Sequence, residues 1–138
     1  MNKIILWAND ASVTGSLRVL DKPVTYAIHY WNNTEDIISW NCMVTYPGQY
    51  VVEINYSLAS EMIGGTFSIV IGEVVLLKSA IPTQGWQDFK TFNLGFLTIH
   101  RGGAIKVEMQ AVHMPDATPS SMPDVAWFSL TLLTGVES

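Results

Sequence analysis

Apolar and polar residues alternate through Ile38–Val44, with Ile38, Trp40, Cys42 and Val44 on one side and Ser39, Asn41 and Met43 on the other. The run from Tyr50 to Ser57 repeats the pattern, setting Tyr50, Val52, Ile54 and Tyr56 against Val51, Glu53, Asn55 and Ser57. A period of two marks strands buried on one face, whereas a helix would repeat every 3.6 residues. Tyr46-Pro47-Gly48-Gln49 separates the runs; Pro presets φ for a turn and Gly accepts positive φ without a Cβ clash. The pattern predicts an antiparallel hairpin across this turn, with Trp40 in the core and Cys42 as a small inward hydrophobe.

The same reading places strands at Lys3–Trp7, Leu17–Leu20 and Val24–Tyr30. After the predicted hairpin come Thr66–Ile71, Val74–Lys78, Asp88–Ile99, Ala104–Val112 and Asp124–Thr134. Gly72-Glu73 is a tight turn between two of them, and Arg101-Gly102-Gly103 is another. Polar or Pro-containing loops fill Asn9–Gly15, Ser79–Trp86 and His113–Pro123, and no segment has the caps and period of an amphipathic helix. Eight to ten short strands with no helices between them predict an all-β sandwich or barrel. A single domain spans residues 1–138, a length that supports one self-sufficient core.

Composition narrows the partners. Seven Lys and Arg stand against twelve Asp and Glu, a net charge of −5, and the basic residues are scattered, which argues against nucleic acid and anionic membrane. Hydrophobic residues reach 49%, but no run is long enough to cross a bilayer as a helix. The single Cys42 rules out an intrachain disulfide. The N-terminal apolar stretch is shorter than a secretory core segment, so a cytoplasmic location is expected unless the chain is a domain of an exported protein.

The order of several short segments resembles a known family. Ala8-Asn9-Asp10-Ala11 is followed by Tyr30-Trp31, Asp36-Ile37-Ile38-Ser39-Trp40 and Pro47-Gly48-Gln49-Tyr50. Gly64-Gly65-Thr66-Phe67, Gln84-Gly85-Trp86-Gln87-Asp88-Phe89, Leu94-Gly95 and Met122-Pro123-Asp124-Val125 complete the series. Together they resemble the family 6 and family 35 carbohydrate-binding modules, and the related jelly-roll domains at the C-terminus of bacterial fucosidases and sulfatases. The resemblance implies a two-sheet β-sandwich jelly roll, galactose-binding-domain-like, that binds carbohydrate without catalysis.

Sugar recognition pairs an aromatic ring with the C–H face of a pyranose and adds amide or carboxylate groups for its hydroxyls. Trp86, Trp31, Tyr30 and Asn32 occupy the matching loops; Trp31 and Trp86 either face a sugar or cap one end of the core. The resemblance also implies a structural Ca²⁺ held by Asp10 and Asp124, although the family's acidic pair reads here as Asn9-Asp10. Asp36 matches a structural position. No His-x-x-x-His or Gly-x-Ser-x-Gly pattern accompanies the lone His29, His100 and His113, so no enzyme is expected. The competing reading is an assembly domain, a homo-oligomer whose interface uses Met62, Met114 and Met122.

Overall fold

The computed structural model describes residues 2–135 as two antiparallel sheets packed face to face, the two-sheet jelly roll that the resemblance implies. The strands are β1 (Lys3–Trp7), β2 (Ser12–Val13), β3 (Arg18–Asp21), β4 (Tyr26–His29), β5 (Ile37–Val44) and β6 (Gly48–Ser57). They continue with β7 (Thr66–Ile71), β8 (Val74–Ser79), β9 (Lys90–Ile99), β10 (Gly103–His113) and β11 (Asp124–Gly135). One sheet runs β3-β4-β11-β6-β9, with β1 also paired to β11; the other runs β2-β5-β10-β7-β8.

The alternation in β5 and β6 holds: Ile38, Trp40, Val44, Tyr50, Val52, Ile54 and Tyr56 are all buried, and Cys42 is half-buried. The predicted hairpin does not. β5 pairs with β10 and β2, whereas β6 pairs with β11 and β9, so the chain between them arches from one sheet to the other. A period of two reports which face is inward and says nothing about which strand lies alongside. The β9–β10 connection crosses between sheets in the same way. A Cβ on Gly102 would lie 2.9 Å from the Val44 carbonyl oxygen, so these two crossovers touch where only glycine fits. The Gly72-Glu73 turn is a true hairpin joining β7 to β8, with Gly72 at φ +59° in its first central position.

Trp40 stacks on Phe128 from the opposite sheet, ring centroids 6.2 Å apart, and its Nε1 donates to the Trp7 carbonyl at 2.8 Å. The buried indole thus has its hydrogen bond, and β5 is tied to β1. Trp7 and Trp127 are cross-strand partners on the outer face, where Lys3 lies over the Trp127 ring at 5.3 Å. Met62 and Met122 are buried and Met114 is half-buried, so the methionines assigned to an assembly interface mostly fill the core instead.

Candidate functional site

One end of the sandwich is organised around Asp36. Its carboxylate accepts from the Ser16 amide at 3.0 Å, the Ser16 hydroxyl at 2.9 Å and Asn33 Nδ2 at 2.8 Å. The Asn33 bond and then the Ser16 bonds hold its pKa below the ordinary carboxylate value against the opposing effect of burial. Gly15, at φ +58°, makes room for it, since a Cβ there would stand 1.8 Å from Asp36 Oδ1. Asn33 Oδ1 in turn accepts from the Glu35 and Asp36 amides, closing the 30s loop on itself.

That scaffold sets the direction of the residues before it. Tyr30 is the only non-glycine residue with positive φ among the described residues, at +64°, and its carbonyl is held by Ser16 Oγ at 3.2 Å. Backbone strain of this kind persists where the surroundings enforce it. The ring is turned outward and is 51% exposed. Asn32 is exposed too; its Oδ1 accepts from Asn33 Nδ2 at 3.3 Å and lies 3.0 Å from Ser16 Oγ, and its Nδ2 has no partner among the described residues.

Trp31 lies elsewhere. It is fully buried, edge-on to Phe67 at 5.8 Å, and has no surface to offer a ligand. Assigning it as a sugar contact is therefore corrected: of the two neighbouring rings, that of Tyr30 turns outward and that of Trp31 turns into the core. Trp31 acts through its backbone, whose carbonyl accepts from the Met122 amide at 2.7 Å and so anchors the 114–123 loop.

Trp86 is carried by the loop between β8 and β9. Thr83 fixes that loop to the end of β6, exchanging bonds with the Leu58 amide at 3.0 Å and carbonyl at 3.1 Å, and it also lies 3.0 Å from the Gly85 carbonyl. Tyr56 adds two more bonds through its hydroxyl, to the Ile81 amide and carbonyl. Trp86 is half-buried, with part of its ring packed against the core.

These loops enclose a cleft of about 270 Å³ lined by His29, Tyr30, Asn32, Trp86, Pro119–Ser121 and Asp124. Three of the four predicted contacts meet there. Sequence reasoning missed His29 as part of the wall and gave Asp124 a different role. The two face each other because β4 and β11 pair antiparallel at Ile28 and Val125, one residue back on β4 and one forward on β11. His29 Nδ1 is 3.1 Å from Asp124 Oδ2, and Nε2 is 2.8 Å from the Lys22 carbonyl. A carbonyl can only accept, so Nε2 carries a hydrogen and donates to it, which leaves Nδ1 turned towards Asp124. Burial pushes the Asp124 pKa up to about 6, with His29 pulling the other way.

The two carboxylates assigned to calcium are in different surroundings. Asp124 is committed to His29, Asp10 is exposed, and no group of three or more His, Cys, Asp or Glu among the described residues is placed to hold a metal ion. A larger cleft, about 500 Å³, opens at the opposite end between the β7–β8 turn and the β9–β10 crossover. No Trp, Tyr or Phe lines it, so it lacks a ring on which a sugar could stack.

Comparison with solved structures places the fold among carbohydrate-binding modules. A family 35 module from Clostridium thermocellum superposes with a TM-score of 0.76 at 14% identity, covering 96% of this chain and 100% of that one. The C-terminal family 6 module of LamC, a marine laminarinase from Zobellia galactanivorans, gives 0.74 at 20% identity, over 94% and 99% of the two chains. A family 35 module from Cellvibrio japonicus Abf62 gives 0.74 at 16%, over 99% and 98%. The architecture is thus that of family 6 and family 35 modules. No protein-family model matches the sequence, and no curated protein does.

Proposed function

We propose that the chain is a non-catalytic carbohydrate-binding module that holds a sugar in the cleft between Trp86 and Tyr30. The observation that carries this reading is the convergence of two partly exposed aromatic rings, a free amide donor on Asn32 and the Asp124 carboxylate on one small cleft. Rings supply the apolar stacking surface and the polar groups fix the hydroxyls. At about 270 Å³ the cleft falls just under the range of roughly 300–1,000 Å³ typical of small-molecule sites, which suits a chain end or a short stretch of one or two sugar units.

Catalysis finds no support in the same groups. His29 spends Nε2 on a backbone carbonyl, and the Ser120 and Ser121 hydroxyls donate to the Pro115 and Met122 carbonyls. No nucleophile and base therefore stand within reach of each other in the cleft. The three solved structures described above are named as carbohydrate-binding modules, which supports the same reading.

Titration calorimetry with a panel of neutral oligosaccharides tests the proposal. Trp86→Ala is expected to abolish binding of whichever glycan the wild type takes, with only a small fall in Tm. Early melting with binding intact would make Trp86 a core residue and move the site elsewhere.

A further inference from the structure

We propose that the His29–Asp124 pair makes this cleft selective for uncharged saccharides and turns away those bearing a carboxylate or sulfate. The proposal rests on the reading of the cleft as a sugar site and adds the class of sugar.

No Lys or Arg lines the cleft, and its only charged groups are His29 and Asp124. They face each other across 3.1 Å. An acidic sugar is held by a cation or by convergent N–H donors, and His29 offers neither, because both ring nitrogens are engaged by Asp124 and the Lys22 carbonyl. Two other cations are engaged elsewhere. Arg18, the cross-strand neighbour of His29, turns its guanidinium to the Gly15 and Leu17 carbonyls at 2.8 and 2.7 Å, and Lys90 pairs with Asp88 at 3.2 Å. A ligand carboxylate would therefore give up water in this partly shielded site and meet no cation or free ring N–H to replace it.

The same groups suit a neutral sugar. Asp124 lines the cleft with one oxygen that takes no hydrogen bond from a described residue, so it can accept from a sugar hydroxyl. Asn32 Nδ2 is the complementary donor. An acceptor and a donor flanking two rings match the alternating hydroxyls of an uncharged pyranose.

Matched sugar pairs decide the matter, with the Trp86 indole N–H followed by NMR in the whole chain. Galactose is compared with galacturonate, glucose with glucuronate, and galactose with galactose 6-sulfate. The neutral member of at least one pair is expected to shift the Trp86 signal, and its charged counterpart to need roughly tenfold more ligand or to leave the signal unmoved. Asp124→Asn, with folding checked by its melting curve, is expected to narrow that gap by releasing His29 Nδ1 from its carboxylate partner and so making the ring available to an acidic sugar. Should the variant not fold, the wild-type pairs alone carry the decision. Charged and neutral members binding equally well overturn the selectivity and leave the sugar site standing. A Trp86 signal that no sugar moves overturns both.

Discussion

At the scale of single residues, the two buried carboxylates of this domain respond to pH with opposite signs. Asp36 has its pKa depressed from the ordinary 3.8 by the Asn33 and Ser16 bonds, so the stability it contributes is complete above that value and lost as pH falls through its folded value. Asp124 is the reverse. Its pKa rises to about 6 on folding, so the native state holds its proton more tightly than the unfolded chain and stability falls as pH climbs from 3.8 to 6. Asp36→Asn is expected to flatten the loss of Tm on acidification below pH 3.8, and Asp124→Asn to flatten the loss between 3.8 and 6. Melting curves of both variants against pH check this; the same pH profile in both would mean that one of the environments is misassigned. The residue scale is also where sequence reading succeeds and fails side by side. Trp40 is legible as core because it sits within a long alternation. Trp31 is not, because it follows the end of β4 in a loop, where no alternation tells which way a side chain turns.

At the scale of elements, most strands are legible, although β2 falls in the expected Asn9–Gly15 loop, and apart from the β7–β8 hairpin their partners are not. Alternation placed β5, β6, β7 and β10 close to their observed bounds, since each has one face inward. The β5–β6 arch was read as a hairpin because Pro-Gly suits either connection. The missed role of His29 has the same cause: only the β4–β11 register brings it opposite Asp124, and register is a property of two strands. The loop bearing Trp86 shows how an element serves the site. Its shape depends on Thr83, whose hydroxyl joins the loop to the end of β6. Thr83→Val keeps the volume and removes those bonds, leaving the Leu58 amide without one partner. Stability is expected to drop by ~1–3 kcal/mol in denaturant unfolding, and sugar affinity to fall as well because Trp86 loses its fixed position. Unchanged affinity beside the lower stability would mean that the ring is positioned by its core packing alone.

At the scale of the whole molecule, β1 and β11 join the two ends of the described chain by direct pairing, from Lys3 opposite Thr131 to Trp7 opposite Trp127. The Leu132 amide adds a bond to the Asn2 carbonyl at 2.8 Å, and the Trp40 indole ties β5 to β1. The ends are thus held by ladder bonds and packing, with Asp124 already facing His29. EDTA is accordingly expected to leave Tm unchanged in differential scanning calorimetry; a drop restored by added Ca²⁺ would reveal a metal site built from donors other than those named.

β11 lies at the centre of its sheet, flanked by β6 on one side and by β1 and β4 in succession on the other. Among the described strands it is also the last to be synthesised. While the chain is being made, β1, β4 and β6 must wait with open hydrogen-bonding edges and apolar faces, unable to complete their sheet. A nascent chain in that condition is prone to pair with its neighbours instead of with itself. For this domain the interval between synthesis of the first strand and release of the last is when aggregation threatens most, and yield in a cell should depend on how well that interval is guarded by chaperones.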